Sequence, residues 1–170
     1  MAKAKKVLEI VDNIRRVFQV ISDSSRKAER ETGLTGPQLW AIKIVAEGAP
    51  IKVSDLARRM YLHPATVVGI LDRLEKRGMV TRTRSLADRR VVEIELTEGG
   101  KNAAVQSPEV AQGLLVRGLE TLPEGKLLHL AEGLEQLVTI LGAQGVRPKL
   151  LLSQEEETPG RDRGGTGRKR

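Results

Sequence analysis

The feature that most constrains the fold of this chain is the stretch 54–97, where two helical patterns are followed by two strand patterns. A short turn separates the helical patterns, and a charged tip at residues 86–90 joins the strands. In the second strand, Val92, Ile94 and Leu96 recur at every second position, which is typical of a half-buried strand. The stretch therefore predicts a helix-turn-helix followed by a two-stranded hairpin, or wing.

The second helix of this pair, expected over residues 63–78, has an apolar face and a polar face. Pro64 suits the first helical position, where its missing N–H costs nothing, whereas His63 is a poor N-cap residue. Gly78 is typical of a left-handed helix end. The residues expected to face the core are Val67, Ile70, Leu71 and Leu74, and the opposite face carries Thr66, Gly69, Arg73 and Lys76. With about 14 residues this helix would be roughly 21 Å long, which fits a DNA major groove.

Positive charge is concentrated on the second helix and the hairpin. Residues 73–90 contain seven Lys and Arg against two Asp and Glu, a surplus of five in a chain of net charge +7. Such clustering is typical of a surface that contacts phosphates. Aromatic residues, on which single-stranded nucleic acids stack, make up only 2% of the chain, which favours duplex DNA. One alternative stays open: Arg82 and Arg84 could pair with Glu93 and Glu95 across the hairpin.

Apolar periodicity also organises the segments on either side of this stretch. Residues 3–30 carry an apolar stripe at spacings of three and four, and the helices expected between 98 and 142 are apolar over a broader arc than one small body could cover. These segments are predicted to form a dimerisation layer. Between the first segment and the helix-turn-helix we expect a helix capped by Thr35, a short strand at 51–53 and a helix capped by Ser54.

The expected fold class is mainly α with a small β-hairpin (α+β): a winged helix-turn-helix lobe plus N- and C-terminal helices that form a dimerisation layer. One domain is expected over residues 1–146, with the lobe at about 35–97 and the flanking helices at about 3–30 and 98–142. Residues 147–170 are rich in Gly, Arg, Glu and Pro, and are predicted to form a disordered basic tail.

Composition argues against several functional classes. No run of about 18 apolar residues is present and the N-terminus lacks the apolar segment of a signal peptide, so we expect a cytoplasmic protein without membrane contacts. The chain has no cysteine, and two isolated histidines fall short of a metal site; His129 is expected in the core or an interface. Because Gly99-Gly100-Lys101 lacks the upstream glycine of a phosphate-binding loop and no nucleophile motif is present, neither an enzyme nor a cofactor is expected. A winged helix that only contacts other proteins remains an alternative.

Two blocks of sequence resemble the MarR family of winged-helix transcriptional regulators. The first is Asp88-Arg89-Arg90, followed by five residues and then Leu96-Thr97; the second is LDRLEKRGMVTR at residues 71–82. The resemblance covers roughly residues 5–142. It implies a homodimer in which each recognition helix enters a major groove and each wing reaches the neighbouring minor groove of a pseudo-palindromic operator on double-stranded DNA.

The resemblance also assigns candidate DNA contacts by position. The start of the recognition helix would lie nearest the base edges, and Gly69 stands where some family members carry an arginine that contacts bases, so specificity would depend more on neighbours such as Thr66. In the wing, Arg89 or Arg90 would enter the minor groove with Asp88 as its orienter, although a purely structural role for Asp88 in the turn stays open. The candidate DNA-binding residues are His63, Pro64, Ala65, Thr66, Gly69, Arg73, Arg84, Asp88, Arg89 and Arg90.

The family resemblance finally implies a repressor that a small molecule, frequently phenolic, releases from DNA. In such proteins the effector binds in a cleft between the dimer layer and the DNA-binding lobe, and thereby changes the spacing of the recognition helices. The sequence contains no ligand-specific cluster, so the identity and the existence of an effector stay open.

Overall fold

The computed structural model describes residues 2–85, 88–146 and 148, and within them the chain forms seven helices and three short strands. In chain order these are α1 (Ala2–Thr32), α2 (Gly36–Gly48), β1 (Ile51–Lys52), α3 (Val53–Arg59), α4 (Pro64–Lys76), β2 (Val80–Arg84), β3 (Val92–Leu96), α5 (Glu98–Gln106), α6 (Ala111–Glu120) and α7 (Glu124–Ile140). The expected fold class, mainly helical with a small sheet and a helix-turn-helix, is confirmed. None of these helices is both long and apolar enough to span a membrane.

The wing belongs to a three-stranded antiparallel sheet rather than to an isolated hairpin. β3 lies in the centre, with β2 on one side and the two-residue β1 on the other. β1 pairs Ile51 with Ile94, and β2 pairs Val80 with Leu96. The sequence predicted the short strand but not its partner, because two residues carry no alternation from which a pairing can be read. β1 connects the segment between α2 and α3 to the base of the wing.

The hydrophobic core forms where α2, α3 and α4 pack together and against the sheet. α2 is buried along most of its length, and its Leu39, Ile42 and Val45 are fully inaccessible. All four residues predicted to face inward from α4 are buried in the same cluster as Ile94 of β3. Because interiors are close-packed, this cluster fixes the position of α4 relative to the base of the wing.

The first helix of the helix-turn-helix starts earlier than the sequence predicted, whereas the second begins at Pro64 as predicted. Ser54 does not cap α3: the helix begins at Val53, and Lys52 is its N-cap. The strand pairing of β1 explains this, since it holds Lys52 extended directly before the helix. Although histidine is a poor N-cap residue, His63 caps α4: its Nδ1 accepts a hydrogen bond from the Ala65 N–H at 3.3 Å.

Other predicted boundaries are confirmed. Thr35 is the N-cap of α2, and its N–H donates to the Gln38 side chain at 3.1 Å. Gly78, with φ +67°, follows the end of α4 in the left-handed conformation. A break around Pro108 separates α5 from α6.

An extended apolar surface lies on α1, α6 and α7, and we call it the apolar face. Its more exposed members are Val7, Ile10, Val11, Val17, Phe18, Leu114, Leu115, Leu127, Leu130, Leu134 and Val138. Large exposed apolar surfaces often mark interaction sites, so these three helices are candidates for contact with another chain. His129 is exposed on α7 and is not a core residue of the single chain. The predicted tail lies outside the described residues, apart from Pro148.

Candidate nucleic-acid interface

Burial of one side of α4 leaves its other side open to solvent. His63, Pro64 and Ala65 are exposed at the start of this helix, and Thr66 and Gly69 are half-buried. A Cβ added at Gly69 would meet nothing within 4 Å, so packing does not require glycine there. The predicted helix residues therefore share the solvent-facing side of α4, and their contacts with DNA remain predictions.

The same side of α4 carries residues that sequence reasoning missed. Arg73 is exposed there as predicted, but so are Val68, which is 40% exposed, and Asp72. An exposed aliphatic side chain on such a helix can contact a thymine methyl group. Val68 could have been identified from the sequence, because it is an aliphatic residue that the helical spacing places away from the buried face of α4.

Arg82 joins the wing to α4. Its Nη2 donates to Asp72 Oδ1 at 2.5 Å and to the Val68 carbonyl at 3.4 Å, and its Nε lies 3.5 Å from Glu75 Oε2 as an ion pair without hydrogen-bond geometry. The guanidinium side chain is only 24% exposed. Two carboxylates one turn apart on α4 thus balance this cation and hold the wing against the helix.

The cross-hairpin ion pairs that the sequence left open as an alternative do not form. The neighbour of Arg82 on β3 is Ile94 and that of Arg84 is Val92, and Arg82 instead turns to the carboxylates of α4. Arg84 is exposed and has no ion pair with any described residue. The sequence pattern could not settle the partner of Arg82, because the pattern gives only neighbours in the hairpin and the Asp72 carboxylate comes from a different element.

The tip of the wing presents two arginines, with Leu86 and Ala87 outside the described residues. Asp88 Oδ1 accepts hydrogen bonds from the Arg90 N–H at 3.0 Å and from Arg90 Nε at 3.3 Å. Asp88 therefore both forms the turn and orients an arginine, so the two alternatives are compatible. The Arg90 side chain is 92% exposed, and Arg89 is exposed as well.

A cleft of about 260 Å³ opens between α2, α3 and α6. Trp40, Lys43 and Val116 line it, and the rim is polar: Arg59 pairs with Glu47, Arg117 pairs with Glu109, and Tyr61 is hydrogen-bonded to Glu120. Within the described residues no group of three or more His, Asp and Glu is placed to hold a metal ion.

The comparison with known proteins agrees with this arrangement. Residues 34–92 match the MarR family. The HTH-type transcriptional repressor MdtR of Bacillus subtilis is 30% identical over 122 residues, which cover 70% of this chain and 77% of that protein. This chain belongs to the MarR family. The resemblance carried by the wing motif and by residues 71–82 is thereby confirmed.

Two further proteins are similar to this chain. The organic hydroperoxide resistance transcriptional regulator of Bacillus subtilis is 36% identical over 108 residues, covering 61% of this chain and 74% of that protein. FabT of Streptococcus pneumoniae, solved in complex with DNA, matches 82% of this chain and 97% of its own with a TM-score of 0.53; at 20% identity this likeness shows the fold alone. MdtR and the hydroperoxide resistance regulator are named as transcriptional regulators, and this chain is a transcriptional regulator rather than an enzyme.

Proposed function

We propose that this chain is a homodimeric repressor that binds a pseudo-palindromic operator on duplex DNA and is released by a small-molecule effector. The observation that carries the proposal is a group of exposed cations on α4 and the wing that, among the described residues, have no carboxylate balancing them in the manner of Arg82. Arg73, Arg84 and Arg89 belong to this group, and the Arg90 side chain is almost fully solvated. Free cations of this kind neutralise phosphates, while the start of α4 supplies side chains for base edges.

The apolar face supports the homodimer. Its stripes on α1 and α7 repeat at spacings of three and four, so each helix can pack lengthwise on another helix. A second copy of the chain offers the same stripes, and a twofold interface brings identical surfaces together. Two recognition helices related by a twofold axis would then address half-sites about 34 Å apart, one turn of DNA.

The relatives and the cleft support the regulatory part. MdtR is named a repressor, and the cleft between α2, α3 and α6 lies where the helix-turn-helix meets the helices of the apolar face. At about 260 Å³ it is slightly smaller than typical sites for drug-sized ligands, which suits an effector of one aromatic ring, a phenol among them. A protein that binds chromosomal DNA must share its compartment, which supports the expected cytoplasmic location.

Selection of bound duplexes from a random pool tests this function directly. We expect enrichment of an inverted repeat whose half-site centres lie about 10 base pairs apart, because the dimer is twofold. The affinity for the enriched duplex should fall linearly with salt on logarithmic axes, with a steep slope set by the number of phosphates contacted. A pool without enrichment, and a binding constant insensitive to salt, would instead favour a winged helix that contacts only proteins.

Replacing Arg90 with alanine should weaken binding to all duplexes. The change removes one solvated cation from each wing, so the slope of log affinity against log salt should decrease by about 2 for a dimer. Titrations at several salt concentrations measure this slope. Arg16→Ala, which removes an equal charge from the outer side of α1, is the matched control and should leave the slope unchanged. An unaltered slope in Arg90→Ala would exclude the wing tip from the interface.

Replacing Thr66 with alanine should change sequence preference instead. Thr66 lies in the first turn of α4, and its hydroxyl can bond a base edge but neutralises no phosphate. We expect a severalfold loss of discrimination at one base pair of each half-site, with binding to random DNA unchanged. Repeating the duplex selection measures this, and Thr81→Ala on the exposed side of β2 is the control. A uniform loss of affinity across sequences would contradict base reading by Thr66.

A further inference from the structure

The turn between α3 and α4 contains a residue in an unusual backbone conformation. Tyr61 has φ +51° and is the one residue other than glycine with a positive φ in the described part of the chain. The Leu62 N–H bonds to the Ala57 carbonyl at 3.0 Å, and the Tyr61 N–H bonds to the Arg58 carbonyl at 3.1 Å. These two bonds form a Schellman motif, whose left-handed position normally holds glycine because a Cβ is disfavoured there.

Two other helices of the chain end in the same Schellman motif with glycine in the left-handed position. α4 ends with Gly78 in the left-handed position, and the Met79 N–H bonds to the Leu74 carbonyl. α7 ends in the same way with Gly142 in the left-handed position. Tyrosine at the equivalent position after α3 has a conformational cost that glycine would not have. We therefore expect its side chain to make a stabilising interaction that offsets this cost.

The tyrosine at this left-handed position is explained by a hydrogen bond of its side chain and not by burial. The Tyr61 side chain lies on the surface, with 67% of the residue exposed. Its hydroxyl donates to Glu120 Oε1 at 2.8 Å, across 59 residues of sequence. This hydrogen bond, together with the negative charge of the carboxylate, raises the pKa of Tyr61 above its ordinary value.

The two ends of this bond lie on elements with different roles. Tyr61 is two residues before His63, the N-cap of the recognition helix, whereas Glu120 is the last residue of α6. α6 carries Leu114 and Leu115 of the apolar face and packs on α1. The bond thus joins the start of the DNA-reading helix to the layer that faces the second copy, along the rim of the cleft described above.

We propose that Tyr61 is a positioning residue whose hydroxyl, bonded to Glu120, sets the angle of the helix-turn-helix relative to α6 and hence the spacing of the two recognition helices in the dimer. This inference rests on the proposed function. A small rotation of the lobe about α6 moves the two recognition helices in opposite directions, because the twofold axis doubles the displacement. One bond at the pivot can therefore control which half-site spacing is bound.

A double-mutant cycle on the full-length chain tests the inference. Tyr61→Phe and Glu120→Ala should each lower the affinity for the selected operator roughly 3- to 10-fold, the size of one hydrogen bond. Each should also reduce the preference for that operator over versions with one base pair added or removed between half-sites. The double variant should lose no more than either single variant, because both remove the same bond. Glu120→Gln should retain binding, since its amide oxygen can accept the same bond.

Stability provides a readout that separates positioning from folding. Tyr61→Gly relieves the left-handed strain and should raise Tm by roughly 2–4 °C, yet it should lose operator affinity as Tyr61→Phe does. A residue that only completes the turn would give a more stable protein with unchanged DNA binding, and that result overturns the proposal. Glu124→Ala removes a carboxylate at the start of α7 and controls for charge alone.

A measurement without DNA checks the bond itself. Tyr61 is the sole tyrosine of the chain, so the ultraviolet titration of tyrosinate reports on it alone. Its pKa should be lower in Glu120→Ala than in the wild type, and equal values would overturn the proposal. If the wild type selects no duplex, the proposed function fails whatever the titration gives. If it selects one and Tyr61→Phe binds with the same affinity and spacing preference, only the positioning role fails.

Discussion

Replacing Leu134 with glutamate should convert the protein to monomers and remove operator binding. Leu134 lies between Leu130 and Val138 in the apolar stripe of α7 and is 54% exposed in the single chain. Twofold symmetry places two such residues in the proposed interface, so the variant buries two uncompensated carboxylates. Without a dimer each half-site binds separately, and the affinity for the full operator should fall by 10²-fold or more.

Light scattering across a concentration series measures the first effect, and titration of the selected duplex measures the second. Gln136→Glu is the matched control, because it adds the same charge to the opposite side of the same helix. This control should remain a dimer with near-normal binding. A dimeric Leu134→Glu protein would show that the second copy covers a different surface, and the apolar face would then need another occupant.

The parts of the fold that the sequence predicted are those set by local periodicity. The inner face of α4 follows from apolar residues such as Ile70 and Leu74 at helical spacing, and the strand β3 follows from alternation. The helix start at Thr35 and the helix end at Gly78 follow from the chemistry of caps. In each case the residues that decide the structure are neighbours in sequence, so no knowledge of the tertiary fold is needed.

The features that the sequence did not predict depend on contacts between distant residues. Helical spacing places the carboxylates of Asp72 and Glu75 on one side of α4, but it does not show that Arg82 of β2 is their partner. The hydrogen bond from Tyr61 to Glu120 joins residues 59 positions apart. Because both side chains are exposed, no apolar periodicity indicates that they meet. The apolar face was predicted from its breadth, but the identity of the surface it packs against requires a second chain.

The position of the wing depends on more than the Arg82 contacts, because its base also rests on α5. The Thr97 N–H donates to the Met79 carbonyl at 3.1 Å, and the Thr97 hydroxyl donates to the Gly78 carbonyl at 2.6 Å. The same hydroxyl accepts from the Gly100 N–H at 3.1 Å. The first turn of α5 therefore packs directly on the backbone where β2 begins, a contact that no local pattern around Gly99 and Gly100 indicates.

Replacing Gly100 with alanine should strongly destabilise this junction. A Cβ at Gly100 would lie 2.1 Å from the Met79 carbonyl oxygen, and since that atom is backbone, either α5 or β2 has to move. We expect a loss of about 2–3 kcal/mol in the free energy of unfolding, the upper part of the range for overpacked sites. For a chain of this length, Tm should decrease by roughly 5–10 °C. Calorimetry or thermal circular dichroism measures the change.

The adjacent glycine provides the matched control. A Cβ at Gly99 would have its nearest neighbours at 3.6 Å, an ordinary contact distance, so Gly99→Ala should gain helix propensity and leave Tm unchanged or slightly raised. Because the shift in Gly100→Ala displaces the wing rather than the apolar face, the variant should remain a dimer while its operator affinity falls at temperatures below its Tm. Equal Tm values for the two variants would mean that α5 does not rest on Met79, and the wing would then be held by Arg82 and the sheet alone.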